Sequence, residues 1–510
     1  MQYKKALALL IILATISRCV IASNIEFGND EAYYWTYGLR LQWNYFDHPL
    51  MVALLIRATT LNLLFGHIEF FVRLGSIVCS GISTFFIFKM VCEFHSERAG
   101  YFAALLYNAS FYASIIAGIF ILPDAPQMLF WTASLWLLSV IVKLDNPPAY
   151  LWMTLGVGIG LTIMSKVHGA FIEVGLLLYI VFFKRQYLRS WKTYTLIIAS
   201  GLVAAPILIW NVQNHFATFR YHSARVGGVH LKMDNFFREI FGEVFYNNPI
   251  NFVLTAMALT YLLSRFRQTK QEILKVLALI ACPMIVSLII LSLFNDTLPH
   301  WSGPAYVTLI PVVAVYVSDR FPKRRGSIVI YSSISFAVII AAAAVTLIHQ
   351  YPGTFGKRTA KDKFGQGDVT LDMYGWSQAA KIVDSVIQSD QAAHTMPDSA
   401  EFVMDKWFPA AHIDYYLARP LQKFVVGLGT MGDLHHYIWL NKYRLKNRSL
   451  GDSYCVFPSN YPADLESNIF RQFGVIECAG IFPILRNGKV CRYFYVYRLR
   501  NFRGKVPMAE

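Results

Sequence analysis

The stretch GNDEAYYWTYGLRLQWNYFDHP, residues 28–49, follows directly on the first long apolar run of the chain. It sets Asp30, Glu31, Asp47 and His48 among seven aromatic residues: Tyr33, Tyr34, Trp35, Tyr37, Trp43, Tyr45 and Phe46. Acids wrapped in Tyr and Trp at the end of a membrane span point to an interfacial site that handles a polar group on a lipid. An aromatic belt at the membrane surface accounts for the rings, with the acids as a solvated loop. It does not account for two separate acidic clusters set about one helix apart.

Outward from this stretch, the composition is that of an integral membrane protein. Of 510 residues 55% are hydrophobic and only 15% charged, against about 25% charged in soluble domains. The net charge of +15 does not mark a nucleic-acid binder, because the basic residues sit in short clusters between apolar runs, as membrane topology requires. The seven cysteines form no CxxC pair. Cys19, Cys79, Cys92 and Cys282 fall in or beside apolar runs as packing residues. Cys455, Cys478 and Cys491 fall in the polar C-terminal part, where an extracytoplasmic setting would allow one disulfide.

Residues 4–22 combine a basic start with a long apolar run and no clear cleavage site, so they read as an uncleaved first span with Lys4 and Lys5 in the cytoplasm. Residues 51–65 are short for a span and read as a helix lying in the interface. Further spans are expected at 69–92, 99–118, 126–143, 149–166, 169–183, 193–212, 250–264, 273–294, 302–318 and 327–348. With the first these make eleven, within an architecture of about eleven to thirteen transmembrane helices.

The charges agree with this order. An inside amino terminus places Arg98, Lys143, the Lys184–Lys192 cluster, the Arg265–Lys275 cluster and the Arg320–Arg325 cluster all in the cytoplasm. The outer loops near Asp124 and His300 carry no Lys or Arg. In the outer loops of the membrane half the basic residues are few: Arg40, Lys166, Arg220, Arg225, Lys232 and Arg238. Charge at membrane depth is costly enough to imply a function, and these are candidate phosphate binders. After residue 349 the spans end, and short strand-like runs at 401–404, 423–428, 453–457 and 492–498 flank a helical stretch at 408–418. The expected division is therefore a membrane domain over 1–349, with an interfacial outer loop at 23–68, and a small mixed α/β domain over 350–510 outside the cytoplasm.

Four segments together carry a family resemblance: DEAYYW…NYFDHPLMVALLI, LPDAPQMLFW, SKVHGAF and PHWSGPAYVTLIP, with weaker echoes in DVTLDMYGW and AAHIDYYLA. They resemble the bacterial GT-C glycosyltransferases, in the branch of the lipid A aminoarabinose transferase, near the protein O-mannosyltransferases. The resemblance implies an inverting enzyme that takes a sugar from a polyprenyl-phosphate carrier at the outer face of the bacterial inner membrane. The implied acceptor is lipid A or another envelope glycolipid, with transfer to protein Ser or Thr as the alternative. It further implies a monomer with its C-terminal domain in the periplasm.

The residues suit that chemistry independently. A polyprenyl phosphate is already a good leaving group, so what remains is to activate the acceptor oxygen and to stabilise phosphate charge. Asp30 matches the family's first-loop catalytic aspartate and is assigned as general base, with adjacent Glu31 able to exchange roles; an ordinary helix cap at Asp30 is the plain alternative. Lys166, His168, Arg220 and Arg225 are candidates for the carrier's phosphate, and Asp124, Tyr45 and His300 for substrate contact. Asp124 also suits a helix N-terminus, and Lys166 also suits a snorkelling anchor. Asp47 and His48 stand where the aminoarabinose branch has an acid followed by lysine. They can belong to a divalent metal site, or His48 can serve the turn before Pro49. A lipid-linked-sugar transporter is the rival of another class. It would show paired halves with broken helices at the midplane, whereas the polar residues here collect towards one surface.

Overall fold

The computed structural model describes residues 2–227, 230–461 and 469–509. The chain begins with α1 (Gln2–Asn24), α2 (Asn29–Leu39), the nine-residue α3 (Met51–Thr59), α4 (Glu69–Phe94) and α5 (Glu97–Ala109). It continues with α6 (Asp124–Lys143), α7 (Ala149–Ser165), α8 (Ala170–Phe183) and α9 (Trp191–Gln213). Next come α10 (Ala217–Val226), α11 (Met233–Tyr246), α12 (Pro249–Ser264), α13 (Glu272–Ser292), α14 (Gly303–Arg320) and α15 (Lys323–Gln350).

Each of the expected spans carries a helix, but they are not equal. Among the described residues, seven helices are long and apolar enough to cross a membrane, and three shorter apolar ones cover 149–165, 167–183 and 249–264. The expected span at 99–118 is not one helix. α5 has 13 residues, about 20 Å at 1.5 Å per residue, and ends where Ser110 turns extended at ψ 124°. A π-helical turn over Tyr112–Ile116 follows. Between the expected spans at 193–212 and 250–264 the chain folds as α10 and α11.

Two compact units result: residues 1–22, 41–62 and 70–341, and residues 23–40, 63–69 and 342–510. In the first, α6, α13 and α14 supply a continuous buried core that includes Met128, Trp131, Leu135, Ile280 and Val313. Helices approach closely where small residues allow it. A Cβ on Gly156 of α7 would stand 2.3 Å from the backbone oxygen of Leu196 in α9.

The second unit contains α16 (Trp376–Ala392), the short α17 (Trp407–His412), α18 (Met431–Leu434), α19 (Tyr437–Arg444) and a five-stranded sheet. Its strands are β1 (Glu401–Met404), β2 (Val425–Gly427), β3 (Ser453–Pro458), β4 (Phe473–Arg486) and β5 (Lys489–Phe502), in the order β2-β1-β3-β5-β4. β1 is parallel to both neighbours, and β5 is antiparallel to β3 and β4. A buried ion pair, Arg486 Nη2 to Asp368 Oδ2 at 2.9 Å, ties the hairpin to the loop before α16. The expected division put all of 23–68 with the membrane half, whereas 23–40 and 63–69 pack with the C-terminal residues. All seven cysteines are free thiols, so Cys455, Cys478 and Cys491 form no disulfide.

Candidate active site

In the membrane unit the centre of the site is an ion pair. Lys166 Nζ donates to both oxygens of Asp124, at 2.9 Å each, and the two side chains are 4% and 3% exposed. Tyr112 donates its hydroxyl to Asp124 Oδ1 at 2.9 Å. The backbone dictates this meeting. α7 stops at Lys166, whose φ −157° and ψ 132° are extended, and the turn Val167–Gly169 folds back onto the helix end. A Cβ on Gly169 would lie 2.6 Å from the Ile163 nitrogen, so the fold-back needs glycine there. Asp124 opens α6 directly after Pro123. Removing two such ions from water costs several kcal/mol each, and the pair is retained at a helix end where a purely structural core would be apolar.

Histidines surround the pair. The FDHP segment is a tight turn in which Tyr45 N–H donates to the His48 carbonyl at 3.1 Å. α10 is fastened over it. Asn44 donates to Thr218 Oγ1 at 3.0 Å, and Thr218 Oγ1 donates to the Tyr45 carbonyl at 3.1 Å. Phe46 packs on Tyr221, and His222 Nε2 lies 3.0 Å from the Asp47 carbonyl. The His48 and His222 rings are 6.4 Å apart. His48, His168 and His300 are each close enough to Lys166 and Asp124 to feel both charges. Burial pushes the His48 imidazole below its ordinary range, the Asp47 carboxylate opposes this, and Lys166 and His222 push it further down. His48 is therefore neutral at pH 7, able to donate or accept a hydrogen bond but not a standing cation. His168 packs against Trp301 at 6.0 Å, and His300 against Tyr246 at 5.8 Å.

The structure thus brings together Asp124, Lys166, His168, His300 and His48. Tyr45 is fully buried inside the turn, and its hydroxyl accepts from the Gln42 N–H at 3.2 Å. Arg220 is exposed on α10. Arg225 is exposed too, with its guanidinium 5.4 Å from the Trp301 ring centre and 5.5 Å from that of Tyr221. For a metal, Asp47 and His48 make two donors. Among the described residues no group of three or more His, Cys, Asp or Glu is placed to hold one.

Asp30 and Glu31 belong to the second unit, in the first turn of α2. Glu31 is 1% exposed and its Oε2 accepts the Gly28 N–H at 3.0 Å, closing the helix start in the manner of a capping glutamate. Gly28 holds the cap position, so Asp30, the plain alternative for a cap, lies inside the first turn instead. Asp30 is exposed. The segment before α2 is bolted to the C-terminal residues. Glu26 accepts the backbone N–H groups of Trp376 and Ser377, both at 2.8 Å. Phe27 N–H donates to the Tyr416 hydroxyl at 2.7 Å, and His412 Nε2 lies 2.9 Å from the Phe27 carbonyl. The weak echoes DVTLDMYGW and AAHIDYYLA are therefore the supports of the first loop. Sequence reasoning did not single out Tyr112, which looks like any aromatic in an apolar run, nor the buried Glu239 and Glu243 of α11.

Comparison with known proteins places this geometry. Residues 47–210 match the profile of the family described as dolichyl-phosphate-mannose-protein mannosyltransferase. The chain is 24% identical over 377 residues to the lipid A galacturonosyltransferase RgtD of Rhizobium johnstonii, covering 71% of this chain and 76% of that protein. It is similar in structure to ArnT from Cupriavidus metallidurans, with TM-score 0.62 and 13% identity over 97% of this chain and 98% of that one in the apo state. Against the same protein bound to undecaprenyl phosphate the TM-score is 0.63 at 12% identity, covering 96% and 97%. The fold is that of the polytopic GT-C membrane glycosyltransferases. Within it the chain resembles the ArnT type.

Proposed function

We propose that this protein is an inverting glycosyltransferase that moves a sugar from a polyprenyl-phosphate donor to lipid A at the outer face of the inner membrane, with its C-terminal unit in the periplasm. The observation that carries the reading is the buried Lys166–Asp124 pair with His48, His168 and His300 around it. An ammonium has three N–H donors. Two go to Asp124, and the third is the one assigned to a phosphate oxygen of the carrier. The arriving phosphate adds negative charge to a pair that is neutral overall, and neighbouring imidazoles can take up a proton to balance it. Asp124 starts α6, Lys166 ends α7, His168 lies in the turn before α8 and His300 lies just before α14, which supports one outer face for all of them.

In the reaction the acceptor oxygen bonds to the anomeric carbon, the bond from that carbon to the phosphate oxygen breaks, and polyprenyl phosphate leaves with the electron pair. An acceptor hydroxyl gives its proton to the Asp30 carboxylate; an acceptor phosphate has none to give, and Asp30 then orients it. Glu31 is occupied with Gly28, which favours Asp30 for this part. The mannosyltransferase profile over 47–210 is the observation favouring the second reading, transfer to protein Ser or Thr.

Purified protein in liposomes, given lipid A and polyprenyl-phosphate-linked galacturonic acid, should produce lipid A heavier by one sugar in mass spectra. Asp30→Asn should slow turnover by about 10²–10⁴-fold with donor binding kept, and Glu31→Gln should be milder. Sugar appearing on protein while lipid A stays unmodified would replace the first reading with the second. An Asp30→Asn protein at the normal rate would remove Asp30 as the base.

A further inference from the structure

The C-terminal unit holds a cavity with none of the lysine, aspartate and histidine side chains of the Lys166–Asp124 cluster in its lining. Its volume is about 430 Å³, within the range of roughly 300–1,000 Å³ typical of ligand pockets. Its position follows from the sheet. β1 leads to β2 on one side, while β3 lies on the other side of β1, and all three run parallel. Where neighbouring parallel strands send their connections in opposite directions, a crevice opens outside their carboxyl ends, and open α/β sheets bind ligands there. The cavity is at that point, between β1 and β3. Asp405 and Lys406 follow β1 directly, Phe457 belongs to β3, and Asn460 and Tyr461 come just after it. The loop Gln366–Val369 forms a further wall, turned by Gly367 at φ +91°.

The lining is of two kinds. Asp405 is a hydrogen-bond acceptor, and the amides of Gln366 and Asn460 offer N–H donors, their oxygens already accepting from Lys357 at 3.0 Å and Arg492 at 3.5 Å. Phe457 and Tyr461 supply ring surface, and Phe408 stands edge-on to Tyr461 at 4.4 Å. An acyl chain would strip water from the polar groups and return no hydrogen bond. A phosphate would find Lys406 as the one cation among the lining residues and would face Asp405, while Asp368 is already held by Arg486. A sugar ring satisfies both kinds, with hydroxyls for the amides and carboxylate and C–H faces for the aromatic rings, whose faces are electron-rich. We propose that this cavity is a saccharide-binding site, taking one or two uncharged sugar rings. Its lining contains none of Lys166, Asp124, His48, His168 and His300, although Tyr461 accepts from Asn29, the neighbour of Asp30, at 3.5 Å.

The test uses the full-length protein in nanodiscs and saturation-transfer NMR. The probes are glucose, N-acetylglucosamine, its β-1,4-linked disaccharide and a short Ser/Thr peptide. At least one saccharide should give transfer from its ring protons, and a stronger signal from the disaccharide than from its monosaccharide would assign the site to a glycan over a free sugar. Val369 is 73% exposed at the rim, so Val369→Trp should block the cavity without unfolding the unit, and the saccharide signal should vanish. Asp405→Asn should weaken binding at least tenfold by the physical loss of a charged acceptor. Undecaprenyl phosphate binding, measured in parallel, should be unchanged in both variants, which separates this site from the transfer site. The proposal is overturned if no saccharide binds the wild type, if Val369→Trp binds as well as wild type, or if only the peptide binds.

Discussion

Lys166 and Asp124 illustrate how one contact can serve stability and chemistry, and how the two can be separated. Each side chain is almost fully buried and each neutralises the other. Removing one leaves an uncompensated charge, which costs about 3–5 kcal/mol. Lys166→Ala should therefore lower the melting temperature and also abolish donor binding. Lys166→Ala with Asp124→Ala should recover much of the melting temperature, because no lone charge remains, while donor binding stays lost. Thermal melts and undecaprenyl phosphate binding on the three proteins check this. Donor affinity at the wild-type level in the double variant would reduce Lys166 to a structural anchor. The sequence pointed to Asp124 and Lys166 separately, the first as a helix start or a substrate contact and the second as a snorkelling or phosphate-binding lysine. Their pairing was not legible, because it depends on the fold-back at Gly169 bringing helix ends 42 residues apart together. The His48 ring was legible as a candidate, but its neutral state follows from burial, which the sequence does not state.

At the scale of an element, α11 is the part of the site that the sequence concealed. Its phenylalanines Phe237, Phe241 and Phe245 are exposed, while Glu239 and Glu243 are buried. That is the reverse of a soluble amphipathic helix and suits one lying at a lipid interface, so the stretch reads as loop when soluble rules are applied. Thr297 donates to Glu239 Oε2 at 2.7 Å, and Tyr306 donates to Glu243 Oε2 at 3.0 Å. Burial raises the Glu243 carboxyl from 4.5 to about 7, with the hydrogen bonds from Ser302 and Tyr306 opposing it and the Glu239 charge adding to it. A folded-state value above the unfolded one means the stabilisation is fully present below pH 4.5 and is lost as pH rises through about 7. The wild type should lose on the order of 3 kcal/mol between pH 5 and pH 8 relative to Glu243→Gln, which stays neutral throughout. The difference between their melting curves across that range checks it and cancels groups common to both, such as His48. A pH-independent difference would mean that Glu243 is ionised in the fold. Packing of the same helix onto the His300 loop is equally tight: a Cβ on Gly242 would sit 2.2 Å from Pro299 Cγ. Among the strands, β4 was missed because Gly480 and Pro483 argue against a strand, and its place at the sheet edge is what tolerates the proline.

For the whole molecule, hydropathy located the membrane windows because apolar length is what a bilayer demands, while the allocation of 23–40 and 63–69 to the C-terminal unit was hidden in long-range hydrogen bonds such as Glu26 to Trp376. The orientation of the chain can be argued from two independent directions. The basic clusters at 184–192, 265–275 and 320–325 fall between α8 and α9, α12 and α13, and α14 and α15. Asp124, Lys166 and His300 lie at the start of α6, the end of α7 and just before α14, and they converge in space. Helices that alternate in direction put the first set on one side and the second on the other, and the positive-inside bias predicts that the first side is cytoplasmic. Alkaline phosphatase fused after Lys192 or after Arg325 should therefore be inactive, and green fluorescent protein at the same points should fluoresce. A fusion after Phe355 should behave oppositely, since α15 crosses once more between Arg325 and that point. Active phosphatase after Arg325 together with inactive phosphatase after Phe355 would invert the protein and move Asp124, Lys166 and His300 to the cytoplasmic face.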